Sequence, residues 1–219
     1  MNEEHTPEAP LDPAAMLALV EEQQSAVGRK IASQIPWILF AWAVAWGAGF
    51  MALWLIDGAE PAFSIPWQLG AVIYAGLLVA AVVVSAIIGS RAGRGIRNSP
   101  SAAFTGTVYG ITCSVGFIAM YVFGVALVRN GMPLELQFIY YPVASTLLVG
   151  IMYLVAGAIW HGVPMIVLGG WVILVALVSP FFGYPTHYLI FAIGGGGGFL
   201  VAWLIMLSWV RSGRAMVPA

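Results

Sequence analysis

Six long apolar stretches, none with Asp, Glu, Lys or Arg in its interior, dominate this chain. They run at about 36–56, 67–88, 104–128, 138–160, 164–182 and 184–210. A helix needs roughly 20 apolar residues to cross a 30 Å hydrocarbon core, and each stretch is near or above that length. Backbone in lipid must satisfy its own N–H and C=O groups, so each stretch is expected to be helical. Composition agrees, because only 8% of the 219 residues are charged and mean hydropathy is +0.95. Soluble domains carry roughly 25% charged residues. The expected fold is therefore all-α, a six-helix transmembrane domain over 35–210. A cytoplasmic tail (1–34) precedes it, with an amphipathic helix at about 12–34, and a short cytoplasmic tail (211–219) follows. Pro36, Pro66, Pro100, Pro142, Pro164 and Pro185 fall near the starts of the stretches. There a missing N–H costs a helix nothing.

Basic residues orient the bundle. With the N-terminus inside, Arg29, Lys30, Arg91, Arg94, Arg97, Arg211 and Arg214 are all inside, and only Arg129 is outside. Seven against one predicts an even number of spans with both termini cytoplasmic. Asp57, Glu60 and Glu135 then lie on the outer side. Trp67, Tyr140, Tyr141, Trp160, Tyr184 and Tyr188 lie near span ends, as interfacial anchors do. The residues ahead of the first stretch carry six carboxylates and no apolar core before a cleavage site. They read as no signal peptide, which leaves the first span as the targeting segment.

The five consecutive glycines Gly194, Gly195, Gly196, Gly197 and Gly198 fall near mid-membrane in the sixth stretch. Each weakens a helix by about 1 kcal/mol relative to alanine in water. A run of five therefore implies either a helix packed tightly against it or a local break whose carbonyls line a site. The first stretch has an aromatic stripe, Trp42, Trp46, Phe50 and Trp54. Beside it runs a small-residue ladder, Ala41, Ala45 and Gly49. The ladder suits a close helix contact, and the stripe faces lipid or fills a groove. In the third stretch Thr105, Tyr109 and Thr112 share one face at i, i+4 and i+7. That face reads as helix packing or as a polar lining. Gly106, Gly110 and Ser114 form a small-residue ladder next to it.

In the tail, Asp12-Pro13 reads as an N-cap with proline at the first helical position. Met16, Val20, Val27 and Ile31 recur at helical spacing. This face is expected either to pack on the base of the bundle or to dock a membrane or cytoplasmic protein partner. Residues 1–34 hold two bases and six acids, a net −4, which disfavours anionic lipid.

Chemistry-bearing patterns are sparse. There is no Gly-x-Ser-x-Gly elbow, His-Glu-x-x-His or phosphate loop. His161 and His187 are expected on opposite sides of the membrane and so share no metal. A lone histidine at a span end reads as an interfacial polar group, and His187, beside Tyr184 and Tyr188, also suits pH sensing. Cys113 is the only cysteine, which leaves it no intrachain disulfide partner. A net charge of −1 makes no case for nucleic acid. No span holds the internal carboxylate or amine that proton-coupled transport uses. These residues point to no enzyme and no cofactor. They leave a non-enzymatic accessory or scaffold component, with the alternative of a small permease or channel for a neutral or weakly polar solute.

Three segments carry a resemblance: Leu11-Asp12-Pro13 with Glu21-Glu22-Gln23-Gln24, the stretch Trp42–Phe50, and Gly194–Leu200. In these the chain resembles small six-span integral membrane proteins of high-GC Gram-positive bacteria, loosely labelled transporters or hypothetical membrane proteins. The resemblance implies the same topology and membrane location and carries over no catalytic residue.

Overall fold

The computed structural model describes residues 12–14, 16–19, 22, 33–92 and 99–212. Six apolar helices of 20 to 30 residues follow one another, and no strand occurs among the described residues. They are α1 (Ile35–Asp57), α2 (Trp67–Ala92), α3 (Pro100–Arg129), α4 (Leu134–Ile159), α5 (Val163–Val178) and α6. A 3-10 turn, Ser179–Phe182, closes α5. α6 is continuous but changes pitch. It is α-helical over Thr186–Ile190, π-helical over Phe191–Gly196 and α-helical again over Gly197–Arg211.

Local chemistry sets the ends. Ser99 caps α3 by accepting the Ala102 N–H at 3.2 Å, with Pro100 in the first turn. Gly131, at φ +90°, takes the left-handed conformation that turns α3 into α4. His161, exposed at φ +52°, turns α4 into α5. α4 begins at Leu134, a turn earlier than its apolar stretch predicts, with Glu135 in the first turn where the helix dipole favours negative charge. Pro142 is consequently an interior proline and not a first-turn one.

The helices pack in the order α2–α1–α6–α5–α4–α3, so sequence neighbours are not always packing neighbours. α1 sits between α2 and α6, and α2 and α3 form the two ends of the row. Burial follows this order. Of the most apolar window of each helix, 39% is buried in α1 but only 6% in α2 and in α3. The end helices turn almost their whole apolar surface outward, which is stable in hydrocarbon and unstable in water.

The centre of the row is aromatic. Trp46 meets Phe50, Phe191 and Phe199 edge-on, with centroids 5.6, 6.2 and 5.3 Å away. Phe50 stacks on Phe191 at 4.9 Å. Such pairs add about 0.5–1.5 kcal/mol each beyond their burial. The aromatic stripe of α1 therefore faces inward and not lipid. Its first member, Trp42, donates Nε1–H to Ser85 Oγ on α2 at 3.1 Å.

Of the tail, Asp12 acts as the expected cap. Its Oδ1 accepts the Ala14 N–H at 3.3 Å, and its carbonyl accepts the Met16 N–H at 3.0 Å. Met16, Leu17 and Leu19 are exposed. Val20, Val27 and Ile31 of the expected docking face lie outside the described residues, as do Arg94 and Arg97.

Candidate functional site

The glycine run stays helical, which removes the broken-helix expectation. Gly196 has φ −60° and ψ −43°, and Gly197 has φ −62° and ψ −40°. What the bare backbone permits is contact on two sides. Toward α1, a Cβ on Gly196 would lie 2.6 Å from both Cα and N of Gly47, and one on Gly195 would lie 2.3 Å from Trp46 Cε3. Toward α5, a Cβ on Gly198 would lie 2.2 Å from Trp171 Nε1, and one on Gly194 would lie 3.1 Å from Val175 Cγ2. Trp171 Nε1–H also donates to the Gly194 carbonyl at 2.8 Å. Four of the five glycines thus let α6 lie against both neighbours at once. Gly197 is the exception, because a Cβ there would meet nothing within 4 Å.

The contact residue on α1 is Gly47, with the Ala43 carbonyl beside it, and not the Ala41–Ala45–Gly49 ladder. That ladder serves the other neighbour, since a Cβ on Gly49 would lie 3.0 Å from Tyr74 Cδ2 of α2. Gly197 opens onto an apolar groove of about 360 Å3 between α1 and α6, lined by Ala43, Val44, Gly47, Ile193 and Leu200 among others.

The third-span residues do not converge on this seam, and α5 and α4 stand between α3 and α6 in the packing order. Thr105 and Tyr109 are half-buried, and Tyr109 donates its hydroxyl proton to the Met152 carbonyl at 2.9 Å. Thr112 is exposed. Thr107 and Ser114 return their hydroxyls to the carbonyls of Ala103 and Gly110 one turn back. The expected Gly106–Gly110–Ser114 ladder packs on nothing at its two glycines. Instead Gly116, against Leu148, and Gly124, against Tyr140 and Tyr141, make the contact with α4.

His187 is not interfacial. It is fully buried in the first turns of α6, with Nε2 3.1 Å from the Phe138 carbonyl. That carbonyl would normally accept the N–H of residue 142, which is the interior Pro142 and has none. A carbonyl only accepts, so Nε2 carries the proton and Nδ1 is left as a buried acceptor without a partner among the described residues. The sequence contained both halves of this pair but no sign that they meet.

A second cavity, of about 300 Å3, lies toward the α1 C-terminus, lined by Leu53, Tyr74, Met120, Gln137, Phe138, Tyr141, Pro142, Ser145 and Tyr188. These residues come from α1, α2, α3, α4 and α6. The row therefore curls so that both of its end helices border one cleft. Just beyond it, outside the spans, the Tyr184 hydroxyl donates to Asp57 Oδ2 and ties the end of α1 to the start of α6. Burial, then the hydrogen bond and charge of Asp57, push the Tyr184 phenol above its ordinary value of 10.0.

Six helices of this length and apolarity, with an aromatic core and outward-facing end helices, define a multi-pass integral membrane protein. No family model, curated protein or solved structure matches the chain.

Proposed function

We propose that this is a non-enzymatic accessory or scaffold component of a bacterial plasma membrane that receives a partner's transmembrane helix in the groove beside Gly197. The observation that carries this reading is the bare Gly197. Four glycines of the run are accounted for by α1 and α5, whereas the fifth faces an apolar groove that no residue fills among those described. Small residues that let backbones approach are what membrane helices use to associate. The aromatic centre supports the same reading, because space that a solute would cross is occupied by Trp46, Phe50, Phe191 and Phe199. The distribution of basic residues supports cytoplasmic termini, which would make the capped tail helix a second docking surface on the cytoplasmic side.

The test is photo-crosslinking in cells from benzoylphenylalanine at Val44 and Leu200, on the groove, and at Val79 and Val122, on outward faces of α2 and α3. A protein adduct from the groove positions alone, removed by Gly197→Phe, is the expected result. Equal labelling at all four positions, or none from the groove, would overturn the proposal. The alternative, a small permease for a neutral or weakly polar solute, draws on the cleft of about 300 Å3 bordered by five helices. Proteoliposomes holding the protein alone should admit glycerol no faster than protein-free vesicles. Faster entry favours the permease.

A further inference from the structure

The cleft bordered by five helices has a chemistry of its own. Its walls include four aromatic rings, Tyr74 of α2, Phe138 and Tyr141 of α4, and Tyr188 of α6. The faces of such rings carry the negative end of a quadrupole and attract cations. The hydroxyls of Tyr74, Tyr141 and Tyr188 have no hydrogen-bond partner among the described residues, whereas neighbouring Tyr140 and Tyr184 donate to the Met120 carbonyl and to Asp57. Gln137 donates one amide N–H to the Met132 carbonyl at 3.0 Å, which leaves its second N–H and the acceptor Oε1. Aromatic rings, phenol oxygens and an amide oxygen among the lining groups all suit positive charge, and no lining residue is basic.

The mouth agrees with the walls. Asp57 lies four residues beyond Leu53, on the same face of α1 and about 6 Å further along it. Glu135 lies three residues before Phe138 on α4, again on the same face. Tyr184 fixes Asp57 there, since it bonds to the carboxylate while stacking on Phe138 at 5.2 Å and meeting Tyr188 edge-on at 6.0 Å. The nearest base in the sequence of α3, Arg129, is nine residues past Met120 and hence on roughly the opposite face of its helix.

We infer that this cleft binds a monovalent organic cation with apolar arms, of the quaternary ammonium class, its charge held among the aromatic rings below Asp57 and Glu135. A volume of about 300 Å3 is at the small end for ligand sites, which suits an ion the size of benzyltrimethylammonium. The site uses different residues of α1 and α6 from the groove, so it stands or falls independently of helix docking.

The experiment is ligand-observed NMR titration of the full chain in uncharged phosphatidylcholine nanodiscs, with empty nanodiscs subtracted. The probes are benzyltrimethylammonium and its neutral isostere, in which carbon replaces nitrogen. Saturable binding of the cation, at least about tenfold tighter than the isostere, is the expected result. Tyr141→Leu and Asp57→Asn should each weaken it by roughly fivefold or more, while Tyr141→Phe, which keeps the ring, stays within about twofold. Thermal midpoints report whether each variant is folded. If Tyr141→Leu is not, Asp57→Asn and Tyr141→Phe decide. Equal affinity for the isostere, or an unchanged affinity in folded Asp57→Asn, would overturn the inference.

Discussion

Two glycines of the run make similar clashes on paper and should behave differently. A Cβ at Gly195 meets Trp46, and one at Gly198 meets Trp171, each within 2.3 Å. Trp46 is only 5% exposed and is locked by three aromatic neighbours, whereas Trp171 is 43% exposed. Overpacking a locked core costs about 1–3 kcal/mol. Gly195→Ala is therefore expected to lower the unfolding free energy in bicelles by that amount. For Gly198→Ala the indole can swing away, and the cost is the bond to the Gly194 carbonyl, about 1 kcal/mol. Trp171→Phe, which removes the same bond, should match it. Steric titration by unfolding in increasing denaturing detergent checks all three. The importance of the run was legible in the sequence, because five glycines in a span demand a packing reason. Its partner was not. Ala41, Ala45 and Gly49 form a small-residue ladder, and so do Ala43 and Gly47. Both are used, one for α2 and one for α6, and residue size alone cannot say which.

At the scale of the helix, the interior Pro142 and the buried His187 form one device. Pro142 withholds an N–H from the Phe138 carbonyl, and His187 Nε2–H supplies one from α6. His187→Ala strands that carbonyl, at a cost of about 1–3 kcal/mol. In a Pro142→Ala background the new backbone N–H takes the carbonyl back, so the cost of His187→Ala should shrink by about 1 kcal/mol. A double-mutant cycle on unfolding free energies measures this coupling, and strict additivity would contradict it. Helix number and approximate position were legible from hydropathy. The π-helical turn was not, because its Gly194 carbonyl finds a donor, Trp171 Nε1–H, on another helix, and the early start of α4 was not either. Pro142 looked like a first-turn proline only because polar Glu135 and Gln137 masked the first turn of α4.

The clasp between the C-terminal end of α1 and the segment before α6 carries a sign that can be checked. Tyr184 is held protonated in the fold by burial and by Asp57, so its phenol lies above the ordinary 10.0. The folded state binds that proton more tightly than the unfolded one. The stabilisation is thus fully present below pH 10 and is lost as pH rises beyond it. Tyr184→Phe should be less stable than the parent at pH 8, and the gap between the two thermal midpoints should narrow steadily as pH rises past 10. A gap that widens with pH would contradict this. Tyr184 and Asp57 were each legible as span-end groups, but their contact joins residues 127 apart and has no local signature.

For the whole molecule, the number of spans is legible in the sequence, but not the order α2–α1–α6–α5–α4–α3. In lipid nearly every helix face is apolar, so amphipathicity does not point each helix at its neighbours. The order depends on the few positions where a side chain is missing. The glycine run joins α6 to α1 through Gly196 while leaving Gly197 open. The most direct measurement compares unfolding midpoints of Gly196→Leu and Gly197→Leu in the same bicelles. A leucine at 196 would drive into the Gly47 backbone and should leave little folded protein. One at 197 has free space and should stay within about 0.5 kcal/mol of the parent. Equal losses in the two variants, or an undamaged Gly196→Leu, would contradict the account.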